Sequence, residues 1–352
     1  MKKKISFFIG SMGKGGAERV ISILANYYAA QNFEVDIILL LSNRIEYKLD
    51  SRINIIDFSS NKNRIISSFL WIKKIRSYVK KEAPYKVITF IGRINLLVIA
   101  ACVGLKVDIY CSERNDPNND GRSKVLNKII KKAYLHRNCK KVIFQTRYAQ
   151  NYFPETVKQK SCIIYNPVEV YTKRRTPIHK IVSVGRLTQQ KNQKLLIEAF
   201  SEIIKEYPDY KLFIYGEGEL RTDLENQILK YNLTGKVFLP GNIDNIHYEI
   251  SDAEIFVLPS KYEGLSNALL EAMILGIPCI STRVSGIEEI INDGKNGILV
   301  NNKKELVQAI KILLIDKEKY NYIAYNSIKL KKIFSLNSVA NNWNYIMNIS
   351  NE

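Results

Sequence analysis

Short runs of β-branched and aromatic residues alternate with helix-length amphipathic segments from one end of this chain to the other, and few folds accept that pattern. Strands are predicted near residues 5–9, 35–41, 53–58, 87–90, 108–112, 142–145 and 162–165, with helical periodicity between them. Asn166-Pro167-Val168 breaks the series, and the polar stretch 169–179, which contains Pro177, reads as a linker. A second series follows near 180–185, 211–215, 237–239, 254–258, 278–281 and 298–300. Two successive strand–helix alternations predict two parallel, doubly wound sheets covered by helices on both faces. The 352 residues suit two such domains at about 150 residues each. The expected division is 1–168, the linker 169–179, 180–333, and a C-terminal helical segment 334–352 that crosses back onto the first domain. Sheets of this kind bind ligands beyond the carboxyl ends of their strands, so the loops that follow strands are where chemistry is expected.

Met1-Lys2-Lys3-Lys4 opens like a secretion signal, but only residues 5–9 are apolar before glycines interrupt, and a signal core needs about 7–15. A first strand is the better reading. The longest apolar stretch, 96–105, is half of the roughly 20 residues that span a bilayer and reads as a buried element. Cys102, Cys111, Cys139, Cys162 and Cys279 are odd in number and lack Cys-x-x-Cys spacing, so reduced thiols of a cytosolic chain are expected, with neither a disulfide framework nor a zinc site. The formal charge of +19 is unevenly placed. Residues 1–170 carry 30 Lys and Arg against 13 Asp and Glu, whereas residues 171–352 carry 23 against 21. An excess confined to one half suggests that this half meets an anionic partner, nucleic acid and an anionic membrane both being candidates.

The first strand runs into Gly10-Ser11-Met12-Gly13-Lys14-Gly15-Gly16-Ala17-Glu18-Arg19. Glycines at a strand-to-helix junction let backbone N–H groups approach an anion, and they equally serve a tight turn. The loop fits neither common nucleotide fingerprint: Glu18 stands where a dinucleotide motif has its third glycine, and Gly16 stands where a Walker loop has lysine. The second half opens with Ser183-Val184-Gly185-Arg186-Leu187, then Gln190-Lys191-Asn192. Arg186 and Lys191, about one turn apart, either converge on a diphosphate or occupy a solvated loop.

Residues 255–260 read as a buried strand ending at Pro259, followed by Lys261-Tyr262-Glu263-Gly264-Leu265-Ser266-Asn267-Ala268-Leu269-Leu270-Glu271. Gly264 permits close backbone approach, Ser266 can cap a helix, and the free N–H groups beyond it can hold a phosphate. Glu271 would sit about 7.5 Å along that helix from Ser266. That is near the span from a nucleotide's diphosphate to its ribose, while Glu263 at the start of the loop is placed to contact a sugar.

With these residues the chain resembles the retaining GT-B glycosyltransferases of family four, built from two facing Rossmann-like domains. The resemblance covers essentially the whole chain and rests on residues 13–19, Ser183 to Leu187 with Lys191-Asn192, Gly216-Glu217-Gly218, Phe238-Leu239-Pro240-Gly241, and above all Glu263 to Glu271. It implies that Glu271 binds the ribose, that Glu263 contacts the donor sugar, and that Arg186 and Lys191 neutralise the departing diphosphate without a metal or other cofactor. Gly15, Gly16, Gly216, Gly264, Leu265 and Ser266 would complete the donor site, with Asn242 and Ile243 along the base. The histidine that the family often carries near the donor sugar is missing, since His136, His179 and His247 fall elsewhere; the chain has Cys111-Ser112-Glu113-Arg114-Asn115-Asp116-Pro117 instead. Glu113 and Arg114 either take the acceptor or sugar side or form a local ion pair.

The resemblance further implies transfer of a hexose or N-acetylhexosamine from a UDP-sugar to a glycan acceptor, polyprenyl-diphosphate-linked, in O-antigen, capsule or related assembly. Residues 61–81 hold seven bases and residues 122–141 eight, with no acid in either. Helices of this kind can lie on the anionic inner face of the cell membrane or stay solvated. A nucleic-acid-binding protein would account for the charge but not for the paired glutamates, so nucleic acid is not an expected partner. A nucleotide-sugar epimerase of related fold would account for the donor site alone.

Overall fold

A computed structural model describes residues 2–13, 15–60, 64–114, 121–170 and 172–350. The chain forms two compact units, one of residues 1–167 with 336–352 and one of residues 168–335. In the first, β1 (Lys4–Ile9), α1 (Gly16–Ala30), β2 (Glu34–Leu39), β3 (Ile53–Asp57), α2 (Arg64–Glu82), β4 (Lys86–Phe90), α3 (Gly92–Ala101), β5 (Ile109–Ser112), α4 (Lys124–Ala133), β6 (Cys139–Phe144), α5 (Arg147–Asn151), α6 (Glu155–Lys158) and β7 (Ser161–Ile163) succeed one another. The second contains β8 (Ile178–Val184), α7 (Gln193–Glu206), β9 (Lys211–Tyr215), α8 (Arg221–Lys230), β10 (Val237–Gly241), α9 (Ile246–Ile250), β11 (Ala253–Leu258), α10 (Asn267–Ile274), β12 (Cys279–Thr282), β13 (Ile298–Val300), α11 (Lys303–Ile315), α12 (Lys317–Ile328) and α13 (Lys331–Phe334). The last helix, α14 (Leu336–Met347), returns to the first unit.

Both sheets are parallel throughout. The first has the order β3-β2-β1-β4-β5-β6-β7 and the second β10-β9-β8-β11-β12-β13. Chain order therefore reverses between β1 and β4 in one sheet and between β8 and β11 in the other, the two places where a parallel sheet opens a crevice at its carboxyl edge. The strands read as continuous apolar runs because both faces are covered. In β1, Phe8 enters one core with Trp71 and Ile75 of α2 and Val98 of α3, while Phe7 and Ile9 enter another with Val20, Leu24 and Tyr28 of α1.

The polar stretch before β8 is shorter than the sequence suggests. Ile178 pairs with Ala253, so the strand begins at Ile178 rather than at residue 180. The apolar stretch 96–105 lies mainly in α3. Among the described residues no helix is long and apolar enough to cross a membrane. All five cysteines are free, and four are buried.

Val168 N donates to Phe334 O at 2.8 Å, so the chain enters and leaves the second unit at adjacent points. Helix α14 starts just beyond. It buries Val339, Ala340, Trp343 and Met347 in one stripe, Trp343 stacks on Phe90 with centroids 6.4 Å apart, and Tyr28 Oη donates to Asn344 Oδ1 at 3.1 Å. Trp343 is fully buried in the core beneath β1 and β4. Trp343→Ala is expected to cost the first unit about 3–5 kcal/mol, read as faster amide hydrogen exchange in β1 and α1. Exchange as slow as in the parent chain would mean that α14 is not part of that core.

Candidate active site

The second unit places its sequence-marked residues on the two loops that flank the reversal point. After β8, the chain turns through Gly185 and Arg186 to Asn192, which holds a left-handed conformation (φ 52°) as the N-cap of α7. After β11 it turns through Pro259 to Ser266, whose Oγ accepts from Leu269 N and caps α10. Three hydrogen bonds join the loops: Asn192 Nδ2 to Pro259 O at 3.2 Å, Gln190 Nε2 to Tyr262 O at 3.0 Å, and Lys261 N to Gln190 O at 2.8 Å. Lys191 is thereby carried to Glu263, its Nζ donating to Oε1 at 2.6 Å, and Ser260 Oγ donates to the same oxygen at 2.6 Å. The Glu263 side chain is 6% exposed and that of Lys191 16%, so this is a largely desolvated charge pair.

Glu271 lies one helix further in, buried on α10. His247, on α9, brings Nε2 to 3.2 Å from Glu271 Oε2. Neither this neighbour nor Ser260 was marked by the sequence. Ser260 sits three residues before Glu263, a spacing that allows the contact without requiring it. His247 stands 24 positions from Glu271 and meets it only through the packing of α9 on α10.

Glycines let the other strand ends crowd together. At Gly216 (φ 133°) a Cβ would stand 2.2 Å from Gly185 O, and at Gly218 one would stand 2.3 Å from Leu187 O. The backbone is tied at the same level: Leu187 N donates to Glu217 O at 3.0 Å and Gly216 N to Gly241 O at 2.8 Å. Asn242 and Ile243 follow β10 and are exposed, as is Arg186. Gly264 and Leu265 lie between Glu263 and the cap, and Gly264 O is so close to Gly286 that a Cβ there would stand 1.7 Å away.

Gly15 and Gly16 belong to the first unit, where Gly15 is the N-cap of α1. The Glu18 carboxylate folds back against Gly15, and burial raises its pKa above the ordinary value. Lys14, in the same loop, lies outside the described residues, as do Asn115, Asp116 and Pro117. Glu113 and Arg114 are both buried at the end of β5, but they do not pair with each other. Glu113 Oε1 accepts from Arg122 Nη1 at 2.9 Å and from Tyr134 Oη. Arg114 donates through Nε to Ser112 Oγ and through Nη1 to Asn166 Oδ1, each at 2.6 Å, and lies over the Phe90 ring. Burial lowers its guanidinium to about 9. The local ion pair weighed from the sequence is therefore replaced by two separate networks.

Two cations and the free N–H groups of a capped helix at the carboxyl edge of a parallel sheet suit a diphosphate. A carboxylate at each end of the same loop and helix suits hydroxyl-rich groups on either side of it. Residues 172–330 match the family model for glycosyl transferases group 1, and residues 14–171 match the model for glycosyltransferase family 4. The chain belongs to these glycosyltransferases. An uncharacterized glycosyltransferase of Haemophilus influenzae is 29% identical over 98% of this chain and 100% of its own length. The GalNAc-α-(1→4)-GalNAc-α-(1→3)-diNAcBac-PP-undecaprenol α-1,4-N-acetyl-D-galactosaminyltransferase of Campylobacter jejuni is 26% identical over 97% of each chain. The crystal structure of Anabaena HepE in complex with UDP superposes with a TM-score of 0.84 at 17% identity, over 98% of this chain and 99% of that one. The fold is GT-B, with a Rossmann-like domain in each unit.

Gly286→Ala would drive the loop at Gly264 out of place. The expected cost is about 1–3 kcal/mol, the range for overpacking a filled site, read as a lower melting temperature of the second unit. An unshifted melt would show that the Gly264 loop yields freely.

Proposed function

We propose that this chain is a retaining glycosyltransferase that moves a hexose or N-acetylhexosamine from a UDP-sugar to a polyprenyl-diphosphate-linked glycan during assembly of a bacterial surface polysaccharide or glycan. The observation that carries this reading is the Lys191–Glu263–Ser260 cluster, with Glu271 about one turn into helix α10 beyond it. In this reading Glu271 accepts hydrogen bonds from the ribose hydroxyls, and Glu263, with Oε1 already taken by Lys191 and Ser260, offers Oε2 to the donor sugar. Arg186, Lys191 and the N–H groups of α10 meet the negative charge that grows on the diphosphate as the anomeric bond breaks. The acceptor hydroxyl attacks from the face that the leaving group departs, its proton passes to the departing phosphate, and configuration is retained. Arg186 and Lys191 supply the positive charge, so no metal is required.

The comparisons favour the same direction. The Campylobacter relative is named for an undecaprenol-diphosphate-linked acceptor, and the Anabaena structure holds UDP. Glu113 and Arg114 are assigned to the acceptor or sugar side because they end β5 at the carboxyl edge of the first sheet.

Delivery of such an acceptor calls for contact with the inner face of the cell membrane, and α4 is the element best suited to it. Its buried residues are Asn127 and Ile130, while Lys124, Lys128 and Lys132 share the exposed surface with Val125, 70% exposed, and Ile129. In α2, Phe69 is exposed near Lys73 and Lys74; Lys62, the first base of that stretch, lies outside the described residues. Each well-placed base contributes about 1 kcal/mol on an anionic leaflet.

Purified protein incubated with UDP- and GDP-sugars and a polyprenyl-diphosphate-sugar is expected to label the glycolipid from one UDP-sugar. Glu271→Ala should lower that rate at least about 100-fold, the scale for losing a charged contact to the donor. Labelling that survives Glu271→Ala would remove this residue from the donor site. Absence of binding to any UDP-sugar would overturn the transferase reading.

A further inference from the structure

The carboxyl edges of the two sheets account for the chemistry, but the first unit also has a cavity at its opposite edge. About 470 Å³ opens where β4, β5 and β6 begin, with Tyr85, Lys86, Lys106, Asp108, Arg137 and Lys140 in its wall. A smaller cavity of about 210 Å³ shares Lys106 and adds Lys80. Four cations thus surround one carboxylate in the larger cavity.

That carboxylate is already occupied. Lys86 Nζ donates to Asp108 at 2.9 Å, and Lys140 Nζ stands 3.4 Å from its other oxygen. Burial works against the charge on Asp108, but the Lys86 hydrogen bond and the charges of both lysines outweigh it and hold its pKa below the usual carboxylate range. Lys86 is buried and also lies over the Tyr85 ring, 4.5 Å from its centroid. Lys106 and Arg137 are exposed at the rim, and among the described residues their side chains make no hydrogen bond or ion pair.

Bases commonly gather at this edge of a parallel sheet because helix C-termini converge there and their free carbonyls attract cations. Here other side chains meet those carbonyls. Arg76 Nη1 donates to Ala101 O at 2.9 Å and to Val103 O at 2.7 Å, and Asn138 Nδ2 donates to Cys102 O at 2.7 Å and Leu105 O at 3.0 Å. Lys160 Nζ donates to His136 O at 2.8 Å. Capping therefore leaves Lys106 and Arg137 unexplained, and repulsion among the cations of the cavity is relieved by only one acid.

We propose that this cavity binds a phosphate-bearing anion, at a site separate from the donor site. Arg137 presents a planar fork suited to two phosphate oxygens, Lys106 and Lys140 add point charges, and the Tyr85 ring forms a wall. The phosphate belongs either to an anionic lipid headgroup or to a soluble phosphate compound.

Inorganic pyrophosphate titrated calorimetrically into the full chain carrying Arg186→Ala and Lys191→Ala, which silences the donor site, should still bind. Adding Lys106→Ala and Arg137→Ala should weaken that binding at least about tenfold, as expected for loss of two charge-assisted contacts. Binding unchanged by the second pair, or absent in the first background, would overturn the site. In the unsubstituted chain, pyrophosphate should slow acetylation of Lys106, followed by mass spectrometry; unprotected Lys106 would equally sink the proposal and needs no variant to fold. The source is read from phosphatidylglycerol vesicles. Retention lowered by Lys106→Ala with Arg137→Ala assigns the phosphate to a lipid headgroup, and unaltered retention alongside lost pyrophosphate binding assigns it to a soluble compound.

Discussion

Burial of both faces of two parallel sheets is the constraint on which the rest of this structure depends. Phe7 and Phe8 point to opposite cores and neither sees solvent, so a one-residue slip of β1 would exchange two differently shaped packing surfaces rather than a wet face and a dry one. Parallel pairing then sends every strand end to the same edge. In the second sheet the neighbours at the reversal point are β8 and β11, and the loops after these two strands carry Lys191 and Glu263. The candidate site is thus placed by topology before any side chain is considered, and the glycines at 216 and 218 are the local condition that lets the loop after β9 approach the loop after β8.

The Lys191–Glu263 pair adds a tension to that frame. A nearly buried ion pair gains Coulomb energy but loses hydration, and the balance turns on whether the remaining polar atoms find partners. Here Ser260 supplies a second donor to the shared oxygen, and three inter-loop hydrogen bonds fix the two backbones without involving the charges. The loops are therefore not held together by the pair alone. Ser260 also holds the Glu263 carboxylate independently of Lys191, so the lysine is one of two donors to that oxygen rather than its sole anchor.

The strands were legible because fully buried parallel strands leave unbroken β-branched runs, and the Glu263-to-Glu271 segment was legible because a loop and helix of fixed length set its spacing. What stayed hidden depended on contacts between distant segments. Ile178 joins β8 because it pairs with Ala253, and nothing in the polar residues before it announces that partner. Glu113 and Arg114 suggested an ion pair by adjacency, yet strand alternation carries them apart: Tyr134, which donates to Glu113, belongs to one core, and Phe90, beneath Arg114, belongs to the other. His247 meets Glu271 by the same kind of tertiary accident of position, through helix packing that no local pattern encodes.

Charge shows the opposite relation between sequence and structure. The excess of bases in the first half was plain from counting, but the count could not say whether it formed one surface or several. In the fold it separates into an amphipathic helix, α4, where lysines share the surface with exposed Val125 and Ile129, and an amino-edge cavity, where Lys106 and Arg137 are left over after the helix carbonyls are capped. The shared field of these bases draws anions toward the whole unit and fades over about one Debye length, roughly 10 Å. Within that distance shape decides. An apolar–basic helix face has the shape for an extended interface, while a walled cavity with a guanidinium at its rim has the shape for a compact anion.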